Sequence, residues 1–163
     1  MKKKLPVFFV TFFLLFSAAA QEKCDAVFSA DTLTPPGSSV ALNGQSVETT
    51  LKNLSKVKLF KSDDDKLYLR LVVTENFYFN KVDVLELQSG TKSYYAKDTK
   101  QYKLSRSQGQ FTIEIFRNYV WTLKELGVTA IVFGSSTTEL TRQDTKEIKK
   151  IAACLFETIA EKK

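Results

Sequence analysis

The chain has 163 residues, 24 of them basic and 18 acidic, for a net charge of +6, and it contains no histidine. That length suits one domain able to bury a core of its own. Without imidazole, Ser–His and Cys–His nucleophiles fall away, and two thiolates lack the further ligands that a zinc site needs.

Met1-Lys2-Lys3-Lys4 is a positive n-region, Leu5 to Phe16 is an apolar run, and Ser17-Ala18-Ala19-Ala20 supplies small residues for cleavage. This layout predicts a secretory signal peptide over residues 1–20, with Gln21 as the new N-terminus and a single globular domain over 21–163. The apolar run falls short of the roughly 20 residues that span a bilayer, so no membrane anchor is expected after processing. Cys24 stands too far beyond Ala20 for lipidation. Removing residues 1–20 takes Lys2, Lys3 and Lys4 away and leaves 21 basic against 18 acidic residues, a net charge of +3. Part of the basicity is thus an export label, and a nucleic-acid partner is not expected. The expected location is the periplasm or the extracellular space.

In the N-terminal third, Pro35-Pro36-Gly37 reads as a turn, and Asn43-Gly44 between Ser39–Leu42 and Gln45–Val47 reads as a two-residue hairpin. Val47 to Ser55 continues as strand or forms a turn of helix. Val57–Lys61, the turn Ser62–Asp65 and Lys66–Val73 predict a hairpin with Leu67, Leu69, Leu71 and Val73 on one face. Strands are predicted over Lys81–Gln88, Thr91–Lys97 and Gln101–Ser105, separated by Ser89-Gly90 and by Lys97-Asp98-Thr99-Lys100. In Gln110–Phe116 the apolar residues Phe111, Ile113 and Ile115 alternate with polar ones.

Asn118 to Leu126 predicts a short helix with Asn118 as N-cap, Val120, Leu123 and Leu126 facing inward, and Gly127 as its stop. A buried strand over Val128–Phe133 ends at Gly134-Ser135-Ser136. In the last segment Ile148, Ile151, Ala152, Leu155, Phe156 and Ile159 recur at helical spacing, and Thr141 with Asp144 has the form of a capping box. Strands in series closed by packed helices predict an α+β domain: an antiparallel meander sheet packed by a C-terminal amphipathic helix and one short helix.

Export places Cys24 and Cys154 in an oxidising compartment, where a pair of cysteines is expected to form a disulfide; two free buried thiols are the alternative. The bond would close a loop of about 130 residues, for which chain entropy sets a ceiling near ~5 kcal/mol.

Polar clusters carry little chemistry. Asp63-Asp64-Asp65 lacks the spacing and the glycine of a calcium loop and reads as a solvated hairpin turn. Glu86, Glu114, Glu125 and Asp83 occupy outward positions with no visible partner. Gly134-Ser135-Ser136 reads as a plain loop, not a nucleophile. No catalytic residue, metal ligand or cofactor is predicted. Aromatic residues give the binding signal: Tyr94, Tyr95 and Tyr102 on successive strands, and Trp121 on the short helix. Alternation sends Tyr94 and Tyr95 to opposite faces, one into the core and one outward. Lys92, Lys97, Lys100, Lys103 and Arg106 surround them, whereas Asn76-Phe77-Tyr78-Phe79 reads as a segment entering the core. The expected function is a non-catalytic exported module binding a protein or glycan through its sheet; a small carboxylate-dependent hydrolase and a structural or inhibitor-like protein are the alternatives.

Overall fold

The computed structural model describes Cys24 and residues 28–52, 56–74, 84–96, 99–105, 108–134 and 136–160. The expected signal segment, Asn76–Phe79, Asp83, Lys97, Arg106 and Ser135 lie outside the described residues. In chain order the elements are β1 (Ser29–Leu33), β2 (Leu42–Thr49), β3 (Lys56–Ser62), β4 (Leu67–Thr74), β5 (Leu85–Ser89), β6 (Lys92–Ala96), β7 (Thr99–Lys103) and β8 (Gln108–Ile115). Then follow α1 (Arg117–Leu126), β9 (Ala130–Phe133), β10 (Ser136–Glu139) and α2 (Arg142–Ala160). The described strands pair antiparallel, and the fold is α+β.

The strands do not form one series, however. They divide into a six-stranded sheet, β1-β2-β3-β4-β8-β7, and a four-stranded sheet, β10-β9-β5-β6. β6 and β7 belong to different sheets, and Thr99 and Lys100, expected in a turn, open β7. The reason is burial. Leu85 and Leu87 of β5 and Ile131 and Phe133 of β9 join Leu59, Leu69 and Ile113 of the larger sheet in one core. Two sheets facing that core cover apolar sides that a single sheet would leave in water.

Period-two alternation sets the register of the larger sheet. Leu59 opposes Leu69 and Val57 opposes Leu71 between β3 and β4, and Leu69 opposes Ile113 between β4 and β8. On the other face Leu33, Phe60 and Tyr68 form a small second cluster with Leu42 packed against it.

Asn43-Gly44 is not a turn. Both residues lie inside β2, where Asn43 opposes Thr32, and Gly44 opposes Asp31 on one side and Ser62 on the other. The glycine answers a close approach: a Cβ there would stand 2.7 Å from Ser62 Cα and 2.8 Å from Phe60 Cζ. From Gln45 the strand runs on to Thr49. Pro35-Pro36-Gly37 does turn, with Ser38 N–H donating to Pro35 O at 3.3 Å.

Asn118 is not the N-cap of α1. Phe116 holds that position with no side-chain cap, because β8 pairs through Ile115 and the helix begins directly after it. Val120 and Leu123 are buried, whereas Leu126 is exposed. Gly127 ends the helix with φ 69°, its N–H donating to Leu123 O at 2.8 Å. Ser136, expected in a loop, opens the edge strand β10.

Helix α2 buries Ile148, Ile151, Ala152 and Leu155, with Phe156 packed against the same core. Its first turn carries the expected capping box. Asp144 N–H donates to Thr141 Oγ1 at 3.1 Å, while Asp144 Oδ2 accepts from Thr141 N–H at 3.0 Å and from its hydroxyl at 2.7 Å. The second carboxylate oxygen accepts Lys52 N–H at 2.8 Å, across 92 residues of chain. Thr145 adds a bond from its hydroxyl to Val128 O at 2.8 Å. Near the other end of the helix, buried Cys154 is bonded to Cys24, with Cα atoms 5.2 Å apart. The pair is a disulfide and not two free thiols.

Two outcomes test these ties. Cys24→Ser/Cys154→Ser should fold, since the stripe of α2 is buried without the bond, and should lose about 2–4 kcal/mol in chemical denaturation. For Asp144, burial on its own raises the pKa, but the hydrogen bonds from Lys52 and Thr141 prevail and lower it. The ionised form is therefore the one the fold prefers. Its contribution is complete above the unfolded value of about 3.9 and is lost as pH falls through the lower folded value. Asp144→Asn should thus cost about 1–2 kcal/mol at neutral pH, and its gap from the parent should narrow in denaturation curves taken toward pH 3. A gap constant with pH would contradict this role.

Candidate functional site

Strand β6 supplies the centre of the site. Tyr94 turns inward and stacks on Tyr119 of α1, ring centroids 4.2 Å apart. Its hydroxyl donates to the carbonyl of Glu114 on β8 at 2.9 Å. This one side chain therefore ties the smaller sheet to both a helix and the larger sheet. Burial, and then the Glu114 carboxylate, raise the Tyr94 pKa, so the hydroxyl stays a neutral donor. Tyr95 faces the opposite way and is 59 % exposed. The division of this pair between core and solvent follows the alternation read from the sequence.

Three parts of the chain meet around these residues. An open cleft of about 630 Å³ is lined by Tyr94, Tyr95 and Ala96 from β6, Pro36 and Gly37 from the β1–β2 connection, and Glu114 and Phe116 from the end of β8. The volume falls within the usual range of ligand sites. Lys100 of β7 holds the Pro36-Gly37 wall in place, its ammonium donating to Ser38 O at 2.9 Å. Phe116, held at the start of α1, is 64 % exposed. Among the described residues Glu114 is the one acidic group in this lining, and none of the described ion pairs includes it.

Tyr102 and Trp121 do not line the cleft. Tyr102 is on β7, at the edge of the larger sheet, with the Lys100 ammonium 5.4 Å from its ring centroid. Trp121 is half exposed on α1, with Lys92 Nζ 5.6 Å from its ring. Of the four aromatic candidates the structure gathers only Tyr94 and Tyr95. Sequence reasoning missed Pro36, Gly37 and Phe116 as partners of the pair. One signal was available: Phe116 follows Ile115 directly, at the outward parity of β8 where a polar residue belongs.

The remaining acids are occupied or apart. Glu86 lies across from Tyr95 and accepts from Ser93 Oγ at 2.7 Å and from Gln88 Nε2 at 3.1 Å, which lowers its pKa. Glu125 is exposed on α1. In the Asp63–Asp65 turn, Asp65 pairs with Lys61 and Asp64 with Lys66, Ser62 bonds to Asp64, and Asp63 N–H donates to Asn43 O at 3.0 Å. Asp65 has φ 63°, a turn conformation. Among the described residues no group of three or more acidic or cysteine side chains is placed to hold a metal ion.

No protein-family profile, curated protein or solved structure matches this chain. The acidic turn yields a direct test: since its carboxylates close a hairpin, added calcium should leave the melting temperature unchanged. A calcium-dependent rise that vanishes when Asp63–Asp65 are replaced by Ser, Asn and Gly would refute this, because a ligand of the native state must raise apparent stability.

Proposed function

We propose that the protein is an exported, non-catalytic binding module that holds a protein or glycan partner in the cleft beside β6. The observation that carries this reading is the pair Tyr95 and Phe116, both more than half exposed on a preformed opening. Aromatic surface left in water at a concave site gains by being covered, through stacking on a sugar ring or by anchoring a partner side chain. Tyr94, wedged between Tyr119 and the Glu114 carbonyl, fixes β6 so that little ordering is needed when a partner docks. Hydrolysis by paired carboxylates needs a second acid roughly 5–10 Å from the first, and among the described lining residues Glu114 has no acidic neighbour.

Export rests on the signal-like segment at residues 1–20 and is compatible with the Cys24–Cys154 disulfide, which an oxidising compartment maintains. Among the described residues no helix is long and apolar enough to cross a membrane.

The test is a screen of arrayed glycans and displayed peptides against the disulfide-bonded chain and against Tyr95→Ala/Phe116→Ala. Ligands retained by the parent should bind the double variant at least about 30-fold more weakly, the loss of about 2 kcal/mol typical of an aromatic anchor. Equal binding by the two proteins would place the ligand elsewhere.

A further inference from the structure

The cleft touches three consecutive residues, Tyr94, Tyr95 and Ala96. Neighbouring side chains on a strand point to opposite faces, so an opening that meets all three does not lie over either face. It runs along the edge of the strand. Among the described strands β6 is terminal in its sheet, with β5 on one side and none paired on the other.

The hairpin geometry tells which backbone groups face this edge. Ser89 opposes Lys92 across the two-residue turn Gly90-Thr91, and Gly90 has φ 62°, as the first central residue of a type II′ turn requires. In such a hairpin the pair flanking the turn is hydrogen-bonded, and bonded and non-bonded pairs then alternate along the ladder. Lys92, Tyr94 and Ala96 therefore direct their N–H and C=O groups at Ser89, Leu87 and Leu85. The N–H and C=O groups of Ser93 and Tyr95 point away from β5, into the space beside the strand.

We propose that this cleft takes an extended peptide segment of a protein partner, added as a fifth strand alongside β6. This rests on the binding reading above and narrows its ligand to a peptide. A strand edge offers donors and acceptors at the spacing of another backbone, a pattern that peptide chains match and sugar hydroxyls do not. Tyr95 and Phe116 then receive alternate side chains of the incoming strand. Glu114, the charged group among the described lining residues, selects a lysine or arginine at the position that faces it.

The experiment selects peptides from a displayed random library on the full disulfide-bonded chain and measures each selected peptide by fluorescence anisotropy. Selected sequences should carry Lys or Arg, and Glu114→Gln should weaken them. N-methylation of every second peptide bond should abolish binding, and methylation of the intervening bonds should not. Ser93→Pro removes an edge N–H at a position where proline is tolerated, and should lower affinity by about tenfold or more while the melting temperature stays near that of the parent. Should that variant fail to fold, the methylation pattern alone decides.

Peptides that tolerate methylation at every position would overturn strand addition. So would a glycan ligand lost with Tyr95→Ala but indifferent to Ser93→Pro, which would leave the binding cleft itself standing. Self-association abolished by Ser93→Pro would put a second copy on the edge and overturn the peptide ligand. Retention of neither peptide nor glycan would remove both readings together.

Discussion

Burial of apolar surface has no direction, so an amphipathic helix laid on a core can slide or rotate at little cost. In this protein the first turn of α2 removes that freedom. Asp144 sits buried with both carboxylate oxygens engaged, one by Thr141 and the other by the backbone of Lys52 after β2. Thr145, the next residue, reaches the carbonyl of Val128 between α1 and β9. A capping box alone would only start the helix. Here the same groups fix its rotation and its height over both sheets, so Ile148, Ile151 and Leu155 meet the core in one register.

That core explains the two-sheet arrangement. Both sheets contribute to it, and the helices pack on each other as well as on the strands. The chain passes between the sheets from β6 to β7, with the Thr99 hydroxyl 3.4 Å from Ala96 O. The cleft borders Tyr94, Tyr95 and Ala96 of β6. Its walls come from a turn, a strand edge and a helix start, yet each is anchored: Pro36-Gly37 through Lys100, β6 through Tyr94, and Phe116 through the end of β8. Natural edge strands are usually shielded by charge, proline or a covering loop. β6 carries one such charge, Lys92 beside its turn, and farther along presents the exposed Tyr95.

What was legible in the sequence was what local chemistry decides. The β3–β4 hairpin, the stripe and cap of α2, the glycine stop of α1 and the outward turn of one tyrosine in the Tyr94–Tyr95 pair all follow from spacing within a short segment. The cysteine pairing was legible from the expected compartment. Features set by distant partners were not. Asn43-Gly44 has the form of a turn, but its glycine is required by the approach of Phe60 and Ser62 from β3. β1 and β10 are edge strands with mostly polar residues, so no alternation announces them. Asn118 is a good cap, yet β8 stays paired through Ile115 and brings the helix start forward. The cleft shares this limit: one tyrosine wall could be read, and Pro36 and Phe116 reach it only through the fold.

The Cys24–Cys154 bond has a mechanical consequence. It joins a point before β1 to a point well inside α2, so all ten described strands and α1 lie within the covalent loop. Tension applied to chain outside that span passes through the sulfur atoms and leaves the strand ladders unloaded. Under such a pull the part of α2 beyond Cys154 would yield, while the elements from β1 to β10 would stay folded until the disulfide was reduced. The same closure holds a nicked chain together: a cut anywhere in that span leaves both fragments attached.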